Sequence, residues 1–308
     1  ETLSCRRLSG ILEHNPGDFT LSVLAGTPLQ EVQQALAAHR QWIAVDWPWG
    51  SGPDGERSGS IGGLVARSLA GGYRHRHLAV RDQLIGISLL RADGVAARAG
   101  GKVVKNVAGY DLMRLLSGSW GSLALITEVN LRTLPMPPAR SGLLIQAEHG
   151  DLATLIARLL ASGLTPERID WWSGALAARA GRGQGPLLLV ALASVSAASL
   201  REQQSAVAAL TCLPWEPLTA GELEGLLTIA RGGDGPMPPW LLRLAVSSDR
   251  VIELLQHPSL QGQPLELAAS SGIGQLWAQD GPGGLNAAAV EALRQHCQSL
   301  GGWLSVLR

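Results

Sequence analysis

The chain is poor in lysine, tyrosine, phenylalanine and cysteine, carries no net charge and has no long apolar run. Lys102 and Lys105 are the only lysines among 308 residues, and 25 basic side chains balance 25 acidic ones. Binding to nucleic acid through phosphate neutralisation calls for a basic excess or stripe, so that class is set aside. The three cysteines, Cys5, Cys212 and Cys297, are far apart and odd in number. They exclude a disulfide framework and a cysteine-based zinc knuckle, fit a reducing compartment, and read as small buried hydrophobes. The longest apolar run, Leu187–Leu200, is about 14 residues long and broken by serines, too short to cross a bilayer. Glu1-Thr2-Leu3-Ser4 carries no basic-then-apolar signal pattern. These absences lead to the expectation of a soluble, cytoplasmic protein.

What is present is a buried core and much glycine. Hydrophobic residues make up 46% of the chain, which argues against disorder. The 38 glycines follow no three-residue period, so a collagen-like rod is excluded. Ten tryptophans stand against one phenylalanine and two tyrosines, a bias that matches a GC-rich coding sequence.

The first stretch reads as a strand at Phe19–Leu24 after the turn His14–Asp18, then a helix opened by Thr27-Pro28-Leu29-Gln30. Thr27 is expected to cap it, with Gln30 closing a capping box and the end near Arg40. Strands follow at Leu84–Arg91, Val95–Ala99 and within Ser122–Arg132. Pro135-Met136-Pro137-Pro138 can continue neither a ladder nor a helix and is the clearest domain boundary. Beyond it, strands at Leu143–Ala147, Arg168–Trp172, Leu187–Ala193, Leu241–Val246, Leu265–Ala269, Ile273–Ala278 and Trp303–Leu307 alternate with helices at Asp151–Ser162, Ala198–Leu210, Asp249–Gln256 and Asn286–Ser299. This is β-α-β-β-α-β written twice, the ferredoxin-like pattern. The fold class is therefore α+β, with residues 1–135 as one domain and 139–308 as a second built on an antiparallel sheet.

Gly50-Ser51-Gly52-Pro53-Asp54-Gly55 matches G-x-G-x-x-G, but Pro48 and Pro53 break the strand-to-helix context that a Rossmann fingerprint needs. Ser58-Gly59-Ser60-Ile61-Gly62-Gly63 is more informative, because consecutive small residues let main-chain amides converge on an anion. His75-Arg76-His77 lacks a third ligand and reads as an exposed basic loop, so no metal site is expected. No G-x-S-x-G elbow is present. Gly100–Leu112 holds both lysines and Tyr110, a polar patch beside the Gly-rich turns. The residues alone stop at anion-cradling loops next to that patch.

The order Ala25-Gly26-Thr27-Pro28-Leu29, Ser60-Ile61-Gly62-Gly63, Arg81-Asp82, Asp93-Gly94, Lys105-Asn106-Val107-Ala108-Gly109-Tyr110-Asp111 and Gly118-Ser119-Trp120-Gly121-Ser122-Leu123 resembles the PCMH-type FAD-binding domain of the vanillyl-alcohol-oxidase flavoenzymes. Within that group it resembles the FAD-binding subunit of bacterial glycolate oxidase (glycolate dehydrogenase). The match covers residues 10 to 135. The resemblance implies that 1–135 is the second subdomain of such a domain, a further N-terminal subdomain preceding it in relatives, and that 139–308 is the cap. It implies FAD as cofactor. Gly59, Ser60, Ile61, Gly62, Gly63 and Leu64 would hold the diphosphate through backbone amides, Ser68 would contact the flavin, and Leu125, Ile126 and Thr127 would line the groove. It implies oxidation of glycolate to glyoxylate, with electrons passing through a partner flavin subunit and an iron–sulfur subunit to quinone, and peripheral membrane attachment through that complex. That chemistry needs a base, a cation for the carboxylate and a hydride acceptor. Arg243 is the candidate cation, Lys105 and Tyr110 enter as candidates through their motif, and none of His149, His257 and His296 has a context marking it as a base. A stand-alone FAD-linked oxidoreductase of another 2-hydroxy acid or alcohol, and a non-catalytic assembly subunit, are the alternatives.

Overall fold

A strand ladder runs as far as Pro135, which pairs with Gln41 against the expectation that none of these prolines continues one, and the chain parts after Met136 into two units. A computed structural model describes residues 4–46, 59–102, 111–232, 238–281 and 283–307. One unit comprises Glu1–Ala70 and His77–Met136; the other comprises Gly71–Arg76 and Pro137–Arg308.

The first unit is built on a five-stranded antiparallel sheet. In chain order its elements are β1 (Ile11–Asn15), β2 (Thr20–Leu24), α1 (Leu29–Ala37), β3 (Gln41–Trp42) and α2 (Ile61–Arg67), then, past the single turn α3 (Arg74–His77) that belongs mostly to the second unit, α4 (Val80–Gln83), β4 (Leu84–Leu90), β5 (Ala96–Gly100), α5 (Leu112–Leu116), β6 (Leu125–Arg132) and β7 (Leu134–Pro135). Strand order is β1-β2-β6-β4-β5, with β3 and β7 paired separately. Leu29, Val32 and Leu36 line the buried face of α1, and Ile61, Leu64 and Val65 that of α2. They pack with Leu21, Val23, Ile87, Val129 and Leu131 of the sheet into the core, as spacings of 3.6 and 2 dictate.

The start of α1 corrects the expected capping box. Pro28 occupies the N-cap and makes no side-chain cap bond. The Thr27 hydroxyl turns the other way, donating to the Leu24 carbonyl at 2.7 Å and accepting from the Gly10 amide at 2.8 Å. A hydroxyl fully buried beside a turn satisfies the turn first. The helix also ends at Ala37, short of Arg40, whose φ of 54° leaves the helical region. His75-Arg76-His77 is helical in α3 rather than a loop.

The second unit is an eight-stranded, wholly antiparallel sheet. Its first half runs β8 (Ala139–Gln146), α6 (His149–Ala161), β9 (Arg168–Trp172), α7 (Gly174–Arg179), β10 (Leu187–Ser194), α8 (Ala197–Ala209) and β11 (Trp215–Leu218). After a connecting helix α9 (Ala220–Ala230), its second half runs β12 (Trp240–Ala245), α10 (Val251–Leu255), β13 (Leu265–Ala268), β14 (Ile273–Ala278), α11 (Ala287–Ser299) and β15 (Trp303–Val306). The order β11-β8-β10-β9-β13-β14-β12-β15 is two ferredoxin-like sheets joined edge to edge at β9 and β13. One face is apolar: Leu143, Ile145, Ile169, Leu188, Val190, Leu242, Leu244, Leu267 and Leu276 form one cluster with the inward residues of α6, α8, α10 and α11. Cys297 is buried in that cluster, where desolvation pushes its thiol up to about 11. Cys212 is exposed and Cys5 half-buried, so the expectation of buried thiols holds for Cys297 alone.

Candidate functional site

In the first unit the chain leaves β2 at Ala25 and must turn at once, and two close approaches fix how it does so. The Gly62 amide donates to the Ala25 carbonyl at 2.7 Å and the Ile61 amide to the Thr27 carbonyl at 3.0 Å, which draws the start of α2 onto the end of β2. A Cβ at Gly62 would stand 2.8 Å from the Ala25 Cβ, closer than the packing allows. Ser60 caps α2, its hydroxyl accepting from the Gly63 amide at 3.2 Å. At the other end of α2, the amides of Gly118 and Trp120 donate to the carbonyls of Val65 and Ala66 at 3.1 and 2.9 Å, so the loop before β6 caps this helix.

Between these segments lies a groove of about 450 Å3. Ala25, Ser60, Gly62, Gly63, Ala66, Gly121 and Ala124 supply small surfaces, and Cys5, Leu125 and Ile126 complete it. Gly121 has a φ of +74° and open space where a Cβ would stand. A slot of this size, walled by small and apolar groups, admits a long flat ligand in van der Waals contact with the backbone.

Of the residues expected to hold the cofactor, Ser60, Gly62, Gly63, Leu125 and Ile126 line the groove. Ile61 and Leu64 face the core instead. Gly59 turns into α2 with a φ of 65°, and Ser68 ends the helix in the left-handed region. Thr127 commits its carbonyl to the Ala25 amide at 3.0 Å. The amides of Ile61, Gly62, Gly63 and Leu64 all have acceptors within the unit. What this loop presents is therefore the glycine Cα surfaces and the Ser60 side chain. Lys105, Tyr110 and the Gly50–Gly55 motif lie outside the described residues. Cys5, Ala25, Ala66, Gly121 and Ala124 were not foreseen as lining residues, although Ala25 and Gly121 stand inside motifs the sequence singled out.

The second unit carries a separate polar constellation on the sheet face opposite its helix-covered core. Arg168, only 1% exposed, pairs through Nε with Asp170 Oδ2 at 2.5 Å and through Nη2 with Glu266 Oε1 at 2.9 Å. Gln275 Nε2 donates to the other oxygen of Glu266 at 3.0 Å. Arg140 pairs with buried Glu167 at 2.9 Å. The Tyr73 ring lies 4.6 Å from the Arg168 guanidinium and 5.8 Å from that of Arg140. Burial pushes the Tyr73 phenol up to about 12, so it stays protonated at neutral pH. Arg243 is placed on the same face, opposite Gln275 and Ser305 in the ladder, with its guanidinium 5.3 Å from the Trp303 ring. Burial and then the charge of Arg74 bring it down to about 10, still cationic at neutral pH. Nothing in the sequence linked Tyr73 to residues about 95 positions away.

Residues 2–100 match the family model of the FAD binding domain. This stretch is an FAD-binding domain. The small-residue groove, lined partly by this stretch and partly by Gly121, Ala124, Leu125 and Ile126 beyond it, fits such a cofactor, since Gly63 and Gly121 leave room where side chains would otherwise project. The chain is 34% identical over 185 residues to glycolate oxidase subunit GlcE of Escherichia coli, covering 60% of this chain and 51% of that protein. It is 28% identical to glycolate oxidase subunit GlcD of Bacillus subtilis, over 54% of this chain and 34% of that one. It is 30% identical to a D-2-hydroxyglutarate dehydrogenase of Xanthomonas citri, over 56% and 35%. The chain thus spans about half or less of the length of these relatives. Among solved structures, an alkyldihydroxyacetonephosphate synthase superposes with a TM-score of 0.67 at 15% identity, over 97% of this chain and 62% of that one, a likeness of fold. Among the described residues no helix is long and apolar enough to cross a membrane, and no cluster of His, Cys, Asp and Glu is able to hold a metal ion.

Proposed function

We propose that this chain holds FAD in the groove of its first unit and works as the FAD-binding subunit of a glycolate oxidase (dehydrogenase) complex, oxidising glycolate to glyoxylate. Electrons would leave through a flavin-binding partner subunit and an iron–sulfur subunit toward quinone, with the assembly cytoplasmic and peripheral to the membrane. The observation that carries the cofactor assignment is the groove itself: Ser60, Gly62, Gly63, Leu125 and Ile126, far apart in sequence, meet at one slot floored by small residues.

Bound FAD supplies hydride acceptance at its ring system. The protein's part is to hold and orient. Ser60, Gly62 and Gly63, together with Gly121, Ala124, Leu125 and Ile126, would hold the cofactor through van der Waals contact. In residues 139–308, read as the cap, Arg243 holds the carboxylate of a 2-hydroxy acid, its cationic head positioned by the Trp303 ring. Lys105 and Tyr110 are the candidates for handling the hydroxyl proton. Kinship with the D-2-hydroxyglutarate dehydrogenase favours one other reading, a stand-alone oxidoreductase of a different 2-hydroxy acid.

A visible absorption spectrum of the purified chain, with and without added FAD, tests the assignment. Flavin bands retained through gel filtration support it, and a chain that retains no flavin removes it. Glycolate turnover by the chain alone favours the stand-alone reading over that of a subunit.

A further inference from the structure

Trp120 is a large apolar residue in a backbone conformation that suits glycine. Its φ is +57°, in the left-handed region that bulky side chains avoid, between Gly118 at +85° and Gly121 at +74°. The loop holds it there: its amide donates to the Ala66 carbonyl, the Gly118 amide to the Val65 carbonyl, and the Ser122 amide to the Ser119 carbonyl. A strained residue held by its surroundings is a sign of use. Its side chain adds to the puzzle. Trp42, Trp171, Trp172 and Trp277 are buried, yet Trp120 is 50% exposed.

Its position narrows what that use is. The residue that accepts its hydrogen bond, Ala66, and the residue that follows it, Gly121, both line the groove, so the Trp120 backbone adjoins the groove's edge. The Arg67 guanidinium stands 5.5 Å from the centre of its ring, and partial burial holds that guanidinium below its ordinary range. An indole backed on one side by a cation and half open to solvent is a stacking platform: it has one face to give to a flat heteroaromatic ring.

We propose that Trp120, backed by Arg67, is an aromatic shelf at the edge of the groove that stacks on one heteroaromatic ring of the bound dinucleotide, adenine or isoalloxazine. This rests on the assignment of the groove to FAD. The strain at position 120 is the cost of presenting an aromatic face where a glycine would serve the fold better.

The test is a fluorescence titration of flavin-free protein with FAD, FMN and ADP, run on the parent chain and on Trp120→Gly, Trp120→Phe and Arg67→Leu, with a melting curve for each. Trp120→Gly relieves the backbone and melts at or above the parent temperature, while its Kd for FAD rises at least tenfold. Trp120→Phe keeps the ring and stays within about threefold of the parent, and Arg67→Leu falls between. If the weakening shows with ADP, the ring is adenine; if with FMN, it is the isoalloxazine. A Trp120→Gly protein that binds FAD as tightly as the parent overturns the proposal. So does a Trp120→Phe protein as weak as Trp120→Gly. A parent chain that binds no FAD overturns the reading of the groove itself, and the proposal with it.

Discussion

Gly72 lies against the guanidinium of Arg168: a Cβ at position 72 would come within 2.6 Å of Nε and 2.7 Å of Cζ, and would also run into Asp170. Neither partner is able to retreat, because both are buried and paired to each other. Gly72→Ala is therefore expected to destabilise the second unit by about 2 kcal/mol or more, the usual cost of overpacking a rigid site. Gly150→Ala, at a helix start with open space around it, is the control and leaves stability within about 0.5 kcal/mol. Urea unfolding of the two variants decides it.

Arg168→Ala strands Asp170 and Glu266 as buried carboxylates. Loss of one partner from such a network costs about 3–5 kcal/mol, so the variant is expected to unfold at markedly lower denaturant. Arg250→Ala, which breaks an exposed pair with Glu253, is expected to change the midpoint very little.

Gly62 and Gly63 are neighbours with different tasks. Gly62→Ala drives a methyl into Ala25 and is expected to lower both melting temperature and FAD content. At Gly63 an added Cβ meets only the Ser60 hydroxyl, at 3.3 Å. Gly63→Ala is thus expected to melt with the parent while binding FAD more weakly, since its methyl narrows the groove. Paired melting and flavin-binding measurements separate the two.

Much of the second unit was legible because its elements are regular. Leu152, Leu155, Ile156 and Leu159 mark the buried face of α6 at helical spacing, and its strands are short apolar runs between turn residues. Three elements escaped. Edge strand β11 is exposed at three of its four positions and contains Pro217, so it lacks an apolar alternation. Helix α9 had a readable start, the reciprocal capping of Thr219 and Glu222, but adjoins a run of glycines. Helix α7 has only Gly174–Arg179 in which to show a period. In the site, glycines with motif context were legible and pairings across the sheet were not: Arg168 and Glu266 are 98 residues apart, and only the joining of β9 to β13 brings them together.

Burial holds the His149 imidazole below its ordinary value, and Nδ1 accepts from the Trp171 indole at 3.1 Å, which requires a bare nitrogen. The unfolded chain takes up that proton more readily, so the stability contribution is complete above about 6.5 and is lost as pH falls through that value toward the folded one. Unfolding free energy is expected to drop between pH 7 and 5, with a shallower drop in His149→Phe. His75 and His257 are shifted the same way, chiefly by burial, and keep part of the slope.

If Arg243 anchors the substrate carboxylate, Arg243→Gln raises KM for a 2-hydroxy acid tenfold or more, in line with about 1.5–3 kcal/mol for a charged hydrogen bond. With its guanidinium brought down to about 10, affinity is expected to weaken as pH rises through that value. A KM profile between pH 8 and 11 on the reconstituted complex checks both statements.

The joint between β9 and β13 is short, with Trp172 opposite Glu266, Trp171 opposite Leu267 and Asp170 opposite Ala268. It is also where Arg168 reaches across to Glu266. Each half closes on strands that are near in the chain, whereas the joint waits for both halves to exist. A molecule caught before that moment shows two unmatched rims of backbone donors and acceptors, and a rim cannot tell its own other half from that of a neighbour. In a crowded solution the same complementarity that completes one chain lets two chains trade halves.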